Sequence, residues 1–242
     1  MGTLVSKRIK LPKDKAKALS LLAEARLYVI LTSHLSKRPV LETAQLALEG
    51  GADILQLREK DMPDGEFLRL ALELRELTTR MGRLFIVNDR PYIALESGAD
   101  GVHLGQGDMS ISEARDLLGA NFLIGLSAHS LEQARQAHLQ GADYIGIGPI
   151  FPTQTKDAGQ PIGTEVLRSL NNFPIPYFAI GGINLTNLAE VTKAGAGRVA
   201  VCSAVISQED VLNVARKFSC QLSVFSCQSS IVADNRQLTT DH

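Results

Sequence analysis

The tripeptide Gly-Ala-Asp occurs at residues 51–53, 98–100 and 141–143, and a weaker copy, Gly195-Ala196-Gly197, follows later in the chain. Each copy comes after a stretch with helical periodicity and before a short apolar run. A glycine just past a helix end suits the left-handed turn that closes the helix. Each copy therefore marks a joint between a helix and a strand. Strand-like runs cover residues 27–32, 54–60, 84–88, 101–105, 123–127, 144–149, 177–181 and 198–202. The four copies precede the second, fourth, sixth and eighth of them. Stretches with helical periodicity lie between them, for example 41–49, 66–81, 112–118, 131–139, 164–170, 185–193 and 210–218. Alternation of this kind implies a parallel sheet. Eight strand–helix pairs, with an internal repeat two pairs long, favour a closed (β/α)8 TIM barrel over a doubly wound sheet.

The chain of 242 residues has the usual length for one such barrel. We expect an α/β protein in three parts. Residues 1–26 form a basic extension with a helix near 16–25, residues 27–218 the barrel, and residues 219–242 a flexible tail rich in Ser and Gln. A net charge of −1 argues against a general affinity for nucleic acid. No apolar run approaches the roughly 18 residues of a membrane span, and no signal peptide is recognised at the start. The spacing of Cys202, Cys220 and Cys227 fits neither a zinc site nor a disulfide framework, so a reducing cytoplasm is the expected setting. A homo-oligomer is compatible with all of this.

In parallel barrels the chemistry sits at the carboxyl ends of the strands. Those ends are unusually polar here. The second run, read as a strand through residue 60, puts Gln56, Arg58 and Lys60 on one face. Asn88 and Asp89 end the third run, His103, Gln106 and Asp108 the fourth, and Ser127 and His129 the fifth. The long stretch 151–163, with Thr153, Thr155 and Lys156, follows the sixth and has the length of a lid. Gly181-Gly182 and Cys202-Ser203 end the last two. Asp89 and Asp108 suit a divalent cation with oxygen ligands, magnesium if it also touches phosphate. The alternative is that they cap the following helices. Arg58, Lys60 and Lys156 suit a polyanion, unless they serve structural salt bridges to Glu59, Asp89 and Asp108. The glycine pair on the seventh strand suits a phosphate group. Two anion sites face each other across the rim, as a transferase with two phosphorylated small-molecule substrates and a pyrophosphate leaving group would need. A Schiff-base aldolase using Lys60 or Lys156 and a non-catalytic barrel that binds a phosphometabolite are the competing readings.

Six segments, in order, carry a resemblance: Gln56-Leu57-Arg58-Glu59-Lys60, Ile86-Val87-Asn88-Asp89, the run 101–108 through His103 to Asp108, Gly125-Leu126-Ser127-Ala128-His129, the run 148–156 ending Thr153-Gln154-Thr155-Lys156, and Ile180-Gly181-Gly182-Ile183. Over residues 27–217 the chain resembles the thiamine-phosphate synthase family. The resemblance implies a (β/α)8 barrel that joins 4-amino-2-methyl-5-pyrimidinylmethyl diphosphate to a (carboxy)thiazole phosphate. It assigns Mg2+ to Asp89 and Asp108. It assigns the pyrimidine diphosphate to Gln56, Leu57, Arg58, Glu59, Lys60, Asn88, Ser127 and Lys156. The thiazole phosphate falls to Thr153, Gln154, Thr155 and Gly182, with backbone from Cys202 and Ser203. Arg58, Lys60, Ser127 and Lys156 are implied to act in catalysis. A sister family of thiazole tautomerases shares the barrel and would use His129 as acid and base. Gly107, where an acid is common, and Gln154 within the Thr-x-Thr-Lys motif are this chain's departures.

Overall fold

The computed structural model describes residues 14–153 and 159–237, without the side chains of 225–237. The helix α1 (Lys15–Glu24) leads into eight strands: β1 (Leu27–Leu31), β2 (Ile54–Leu57), β3 (Leu84–Asn88), β4 (Gly101–Leu104), β5 (Leu123–Ala128), β6 (Tyr144–Ile147), β7 (Tyr177–Ile180) and β8 (Val199–Val201). All neighbours pair in parallel, and β8 returns to β1, so the sheet is a closed barrel. Between them lie α2 (Val40–Glu49), α3 (Asp64–Met81), α4 (Pro91–Ser97), α5 (Ile111–Leu118), α6 (Leu131–Leu139), α7 (Glu165–Arg168) and α8 (Leu188–Lys193); α9 (Ser203–Ile206) and α10 (Val211–Gln237) follow β8.

The repeat is visible atom by atom. In each copy the glycine has positive φ, between 65° and 106°. Its N–H reaches back three residues, and the following alanine N–H reaches back five: Gly51 to Leu48 and Ala52 to Ala47, then Gly98 to Leu95 and Ala99 to Ala94, and likewise at 141–142 and 195–196. This is the helix-closing pattern expected of a left-handed glycine. The aspartate then holds one residue of the preceding strand at both its polar groups. Asp53 N–H donates to Leu27 O while Asp53 Oδ2 accepts from Leu27 N–H at 3.1 Å. Asp100 does the same to Phe85, and Asp143 to Ile124. A cation completes each grip: Arg83 on Asp53, Arg75 on Asp100, and Arg115 with Lys15 on Asp143. Gly197 has no carboxylate, so the fourth joint lacks this grip.

Alternation along the strands sorts the core into two layers. Leu27, Val29, Leu31, Leu55 and Leu57 face the helices. Tyr28, Ile30, Ile54, Leu84, Ile86, Leu123, Tyr144 and Phe178 fill the barrel, joined at the amino-terminal end by Ala18 and Leu22 of α1. The helix expected near 16–25 therefore plugs the closed end, its first turn capped by Asp14.

Three expectations need correction. Strand β2 stops at Leu57, and residues 58–60 are loop, so Lys60 does not share a strand face with Gln56. Alternating charges after an apolar strand mimic its continuation. Helix α4 falls outside the periodic stretches named from the sequence; it buries Pro91, Ile93 and Ala94, and Pro91 supplies its first turn. The boundary expected at residue 218 is no helix end, since α10 runs on to Gln237. Ala215, Phe218 and Leu222 are fully buried at spacings of three and four, which continues the apolar stripe into the tail. A side chain at Gly50 would collide with Ala215 and Leu212 O at 2.6 Å, so glycine is what lets α10 close on α2. Residues 1–13 lie outside the described residues.

Asp143 is well buried and satisfies a strand N–H as well as two cations. Its removal leaves the Ile124 N–H unsatisfied and takes the acid away from Lys15 and from Arg115, which keeps only the Gly119 and Phe122 carbonyls, so Asp143→Ala is expected to cost about 3 kcal/mol. A shift in the urea midpoint worth less than about 1 kcal/mol, as exposed pairs give, would count against the grip.

Candidate active site

One cavity of about 670 Å³ opens at the carboxyl ends of the strands. Of the residues expected at the site, Gln56, Arg58, Asn88, Ser127, Thr153, Gly182, Cys202 and Ser203 line it, together with His129. Gln154, Thr155 and Lys156, and with them the centre of the expected lid, lie outside the described residues. Leu57 is buried against the helices. Glu59 is buried and turned toward the β1 loop, where it accepts from Ser33 N–H and, at 3.0 Å, from Ser33 Oγ. Lys60 is exposed and outside the cavity wall.

The floor carries a chain of hydrogen bonds that crosses the barrel. Gln56 Nε2 donates to Tyr28 Oη at 2.7 Å. Tyr28 Oη lies 3.2 Å from Tyr144 Oη, and Tyr144 Oη lies 3.3 Å from His103 Nδ1. His103 Nε2 reaches Ser127 Oγ at 3.1 Å. Gln106 Nε2 donates to Ser127 O at 2.6 Å. Burial drives both phenols well above their ordinary range, so they remain neutral donors and acceptors. Phe178 packs edge-on against both rings. Tyr28 and Tyr144 escaped the sequence reading because an inward aromatic on a barrel strand reads as core. Their even spacing with Ile30 and Gly146 is the signal that they face inward.

Arg58 is half-buried at the cavity wall and makes no salt bridge among the described residues. Across from it, Gly181 and Gly182 take φ of 97° and 65°. A Cβ on Gly182 would stand 2.5 Å from Pro152 O, so space as well as conformation requires glycine there. Asn184, which follows the glycine pair, does not cap α8. Its Oδ1 instead accepts from Thr186 and Asn187 N–H in a turn ahead of α8, and Asn187 Nδ2 donates to Gly182 O at 2.9 Å. His129 Nδ1 is held by Gly148 O at 2.6 Å.

Asp89 and Asp108 are exposed on the rim beyond β3 and β4. Neither caps the helix after it. The start of α4 has no side-chain cap, and α5 has a capping box of Ser110 and Glu113. Asp108 Oδ2 instead accepts from Gly105 N–H at 2.6 Å, and Asp89 sits at φ 58° with its N–H on His103 O. Two exposed carboxylates on adjacent strand ends, with no third His, Cys, Asp or Glu gathered beside them among the described residues, fit a hard cation that keeps water and phosphate oxygens in its shell.

A (β/α)8 barrel with an arginine at the wall of one deep cavity, a glycine turn across from it and carboxylates on the rim is built as an enzyme acting on small phosphorylated substrates. Residues 27–205 match the family model described as thiamine monophosphate synthase. The chain is 49% identical over 205 residues to the thiamine-phosphate synthase of Chloroflexus aurantiacus, covering 82% of this chain and 93% of that one. It is 50% identical over 194 residues to that of Moorella thermoacetica, covering 79% and 92%. The solved thiamine phosphate pyrophosphorylase from Pyrococcus furiosus superposes with a TM-score of 0.79 at 42% identity, covering 85% of this chain and 98% of that one. The chain belongs to the thiamine monophosphate synthase family, and with it to the transferases. No described helix is long and apolar enough to cross a membrane.

Burial pushes the Cys202 thiol up to about 12, with the Arg58 charge pulling the other way. A raised thiol pKa keeps the neutral form dominant at every pH below it. Iodoacetamide at pH 8 is therefore expected to spare Cys202 while alkylating exposed Cys220. Peptide mass spectrometry reads the outcome, and rapid Cys202 labelling of folded protein would contradict it.

Proposed function

We propose that the cavity carries out thiamine-phosphate synthase chemistry, joining 4-amino-2-methyl-5-pyrimidinylmethyl diphosphate to a thiazole phosphate. The bond from the pyrimidine methylene to the diphosphate oxygen breaks, and its electron pair leaves with pyrophosphate. The thiazole nitrogen supplies the pair for the new C–N bond. The observation that carries this reading is Arg58: a cation at the cavity wall that makes no salt bridge among the described residues, across the cavity from the Gly182 turn. Burying such a charge is costly unless an anion completes it.

In this reading Arg58 and Asn88 hold the diphosphate, with Lys60 and Lys156 contributing charge as the substrate settles. Gln56 and Ser127, fixed at opposite ends of the hydrogen-bonded floor, orient the pyrimidine. Thr153, Gln154, Thr155 and Gly182 take the thiazole phosphate, with backbone from Cys202 and Ser203. Asp89 and Asp108 would hold magnesium, which when bound supplies positive charge against the departing pyrophosphate. A floor of hydroxyl, amide and imidazole groups offers an electron-poor methylene no carboxylate nucleophile. The exposed position of Lys60, outside the cavity wall, speaks against a Schiff base there. The family match and the retained Arg58, Asp89 and Asp108 favour the synthase over the tautomerase.

The test supplies both half-molecules with magnesium and measures thiamine phosphate and pyrophosphate. Absence of product with both the carboxylated and the plain thiazole phosphate overturns the proposal. Asp89→Ala and Asp108→Ala are each expected to lower magnesium-dependent kcat/KM by about 100-fold or more while the melting temperature stays within a few degrees (roughly the span of 1 kcal/mol). Unchanged turnover in both variants would remove the metal site.

A further inference from the structure

We infer that Arg90 is a positioning residue that ties the loop carrying Arg58 and Lys60 to the turn carrying Asp89. Its backbone and its side chain do two different jobs. The Arg90 N–H donates to Asn88 O at 2.7 Å, closing a three-residue turn around Asp89 and holding that residue at φ 58°. Its guanidinium reaches back to the loop after β2. Nη2 donates to Glu59 O at 2.9 Å and Lys60 O at 3.0 Å, and Nη1 donates to Met62 O at 2.8 Å and Asp64 Oδ1 at 2.7 Å. The Phe67 ring lies under the guanidinium, 4.5 Å from Cζ.

Three main-chain carbonyls within four residues thus converge on one side chain. The planar fork of arginine is suited to this, whereas an ammonium is a single point charge. The guanidinium is only about one-fifth exposed, while its acidic partner Asp64 is largely in solvent. The carbonyl bonds and the aromatic face therefore hold the loop, and the ion pair adds little. Glu59 fixes the same loop from the other side through Ser33. The loop is clamped between β1 and β3 with Arg58 directed into the cavity. Arg90 touches no cavity surface itself. Its effect passes through the residues it holds, so it sets the spacing between the cationic loop and the rim carboxylate.

This inference rests on the reading that the β2 loop binds the diphosphate, and two kinds of measurement separate the two. Hydrogen exchange of the ligand-free protein tests the clamp alone: Arg90→Lys and Arg90→Gln should speed exchange in peptides spanning 58–63 and leave the β-strand peptides as in the parent. Steady-state kinetics tests its consequence. Both variants should raise KM for the pyrimidine diphosphate and the half-activating magnesium concentration by about tenfold or more, with KM for the thiazole phosphate within about twofold. Asp64→Asn should stay near the parent in every measurement. Unchanged exchange at 58–63 in both Arg90 variants overturns the inference. So does exchange that rises across the whole barrel with both KM values moving together, because that outcome describes general destabilisation. If the parent enzyme makes no thiamine phosphate, the reaction fails while the exchange arm still decides the clamp.

Discussion

The whole architecture depends on how a closed parallel sheet finds its register. A slip of one residue would turn every inward side chain outward, and the inward set here holds both the packed floor and the ligand-facing groups. The aspartates of the repeat oppose such a slip by binding the N–H and C=O of one named residue on the strand before: Leu27, Phe85 or Ile124. Each is neutralised by a basic partner from the surrounding helices or the strand start. Register is thus set at the amino-terminal end of the barrel, far from the rim where the chemistry is concentrated.

That separation lets the two ends differ in character. The closed end is apolar apart from the aspartate grips, plugged by Ala18 and Leu22. Moving up the interior, the layers become aromatic, then hydrogen-bonding, then charged. Tyr28 and Tyr144 belong to both regimes: their rings pack with Phe178, and their hydroxyls begin the polar chain to Gln56 and Ser127. Above them the charged groups sit on loops that other side chains hold in place, as Ser33 and Glu59 do for Arg58.

Much of this was legible in the residues alone. Period-two runs located all eight strands, and the repeat announced closure before any coordinates. Gln56, Arg58, Ser127, Gly182 and Cys202 all line the cavity, which the position of polar and glycine residues at strand carboxyl ends suggests in this architecture. The failures have physical causes. Arg58-Glu59-Lys60 alternates like a strand, yet Glu59 leaves the pattern to bind Ser33, and the chain turns. Tyr28 and Tyr144 looked like core because most of each side chain is core. Arg90 carries no signal in the sequence, since the carbonyls it gathers leave no mark there. The C-terminal boundary was misjudged because Ser and Gln suggested disorder while Phe218 and Leu222 continued a buried stripe.

The absent carboxylate of the fourth repeat has a dynamic meaning. At Gly197 the chain keeps the helix-closing glycine turn but has no side chain with which to hold β7. The β7–β8 ladder is also short, pairing Ala179 with Val199 and Ile180 with Ala200. The barrel is therefore not equally stiff around its circumference. Its most compliant seam runs beneath the Gly182 turn and Cys202-Ser203, opposite the tightly clamped wall of β2 and β3. One wall of the cavity is a fixed reference, and the other is the side free to breathe.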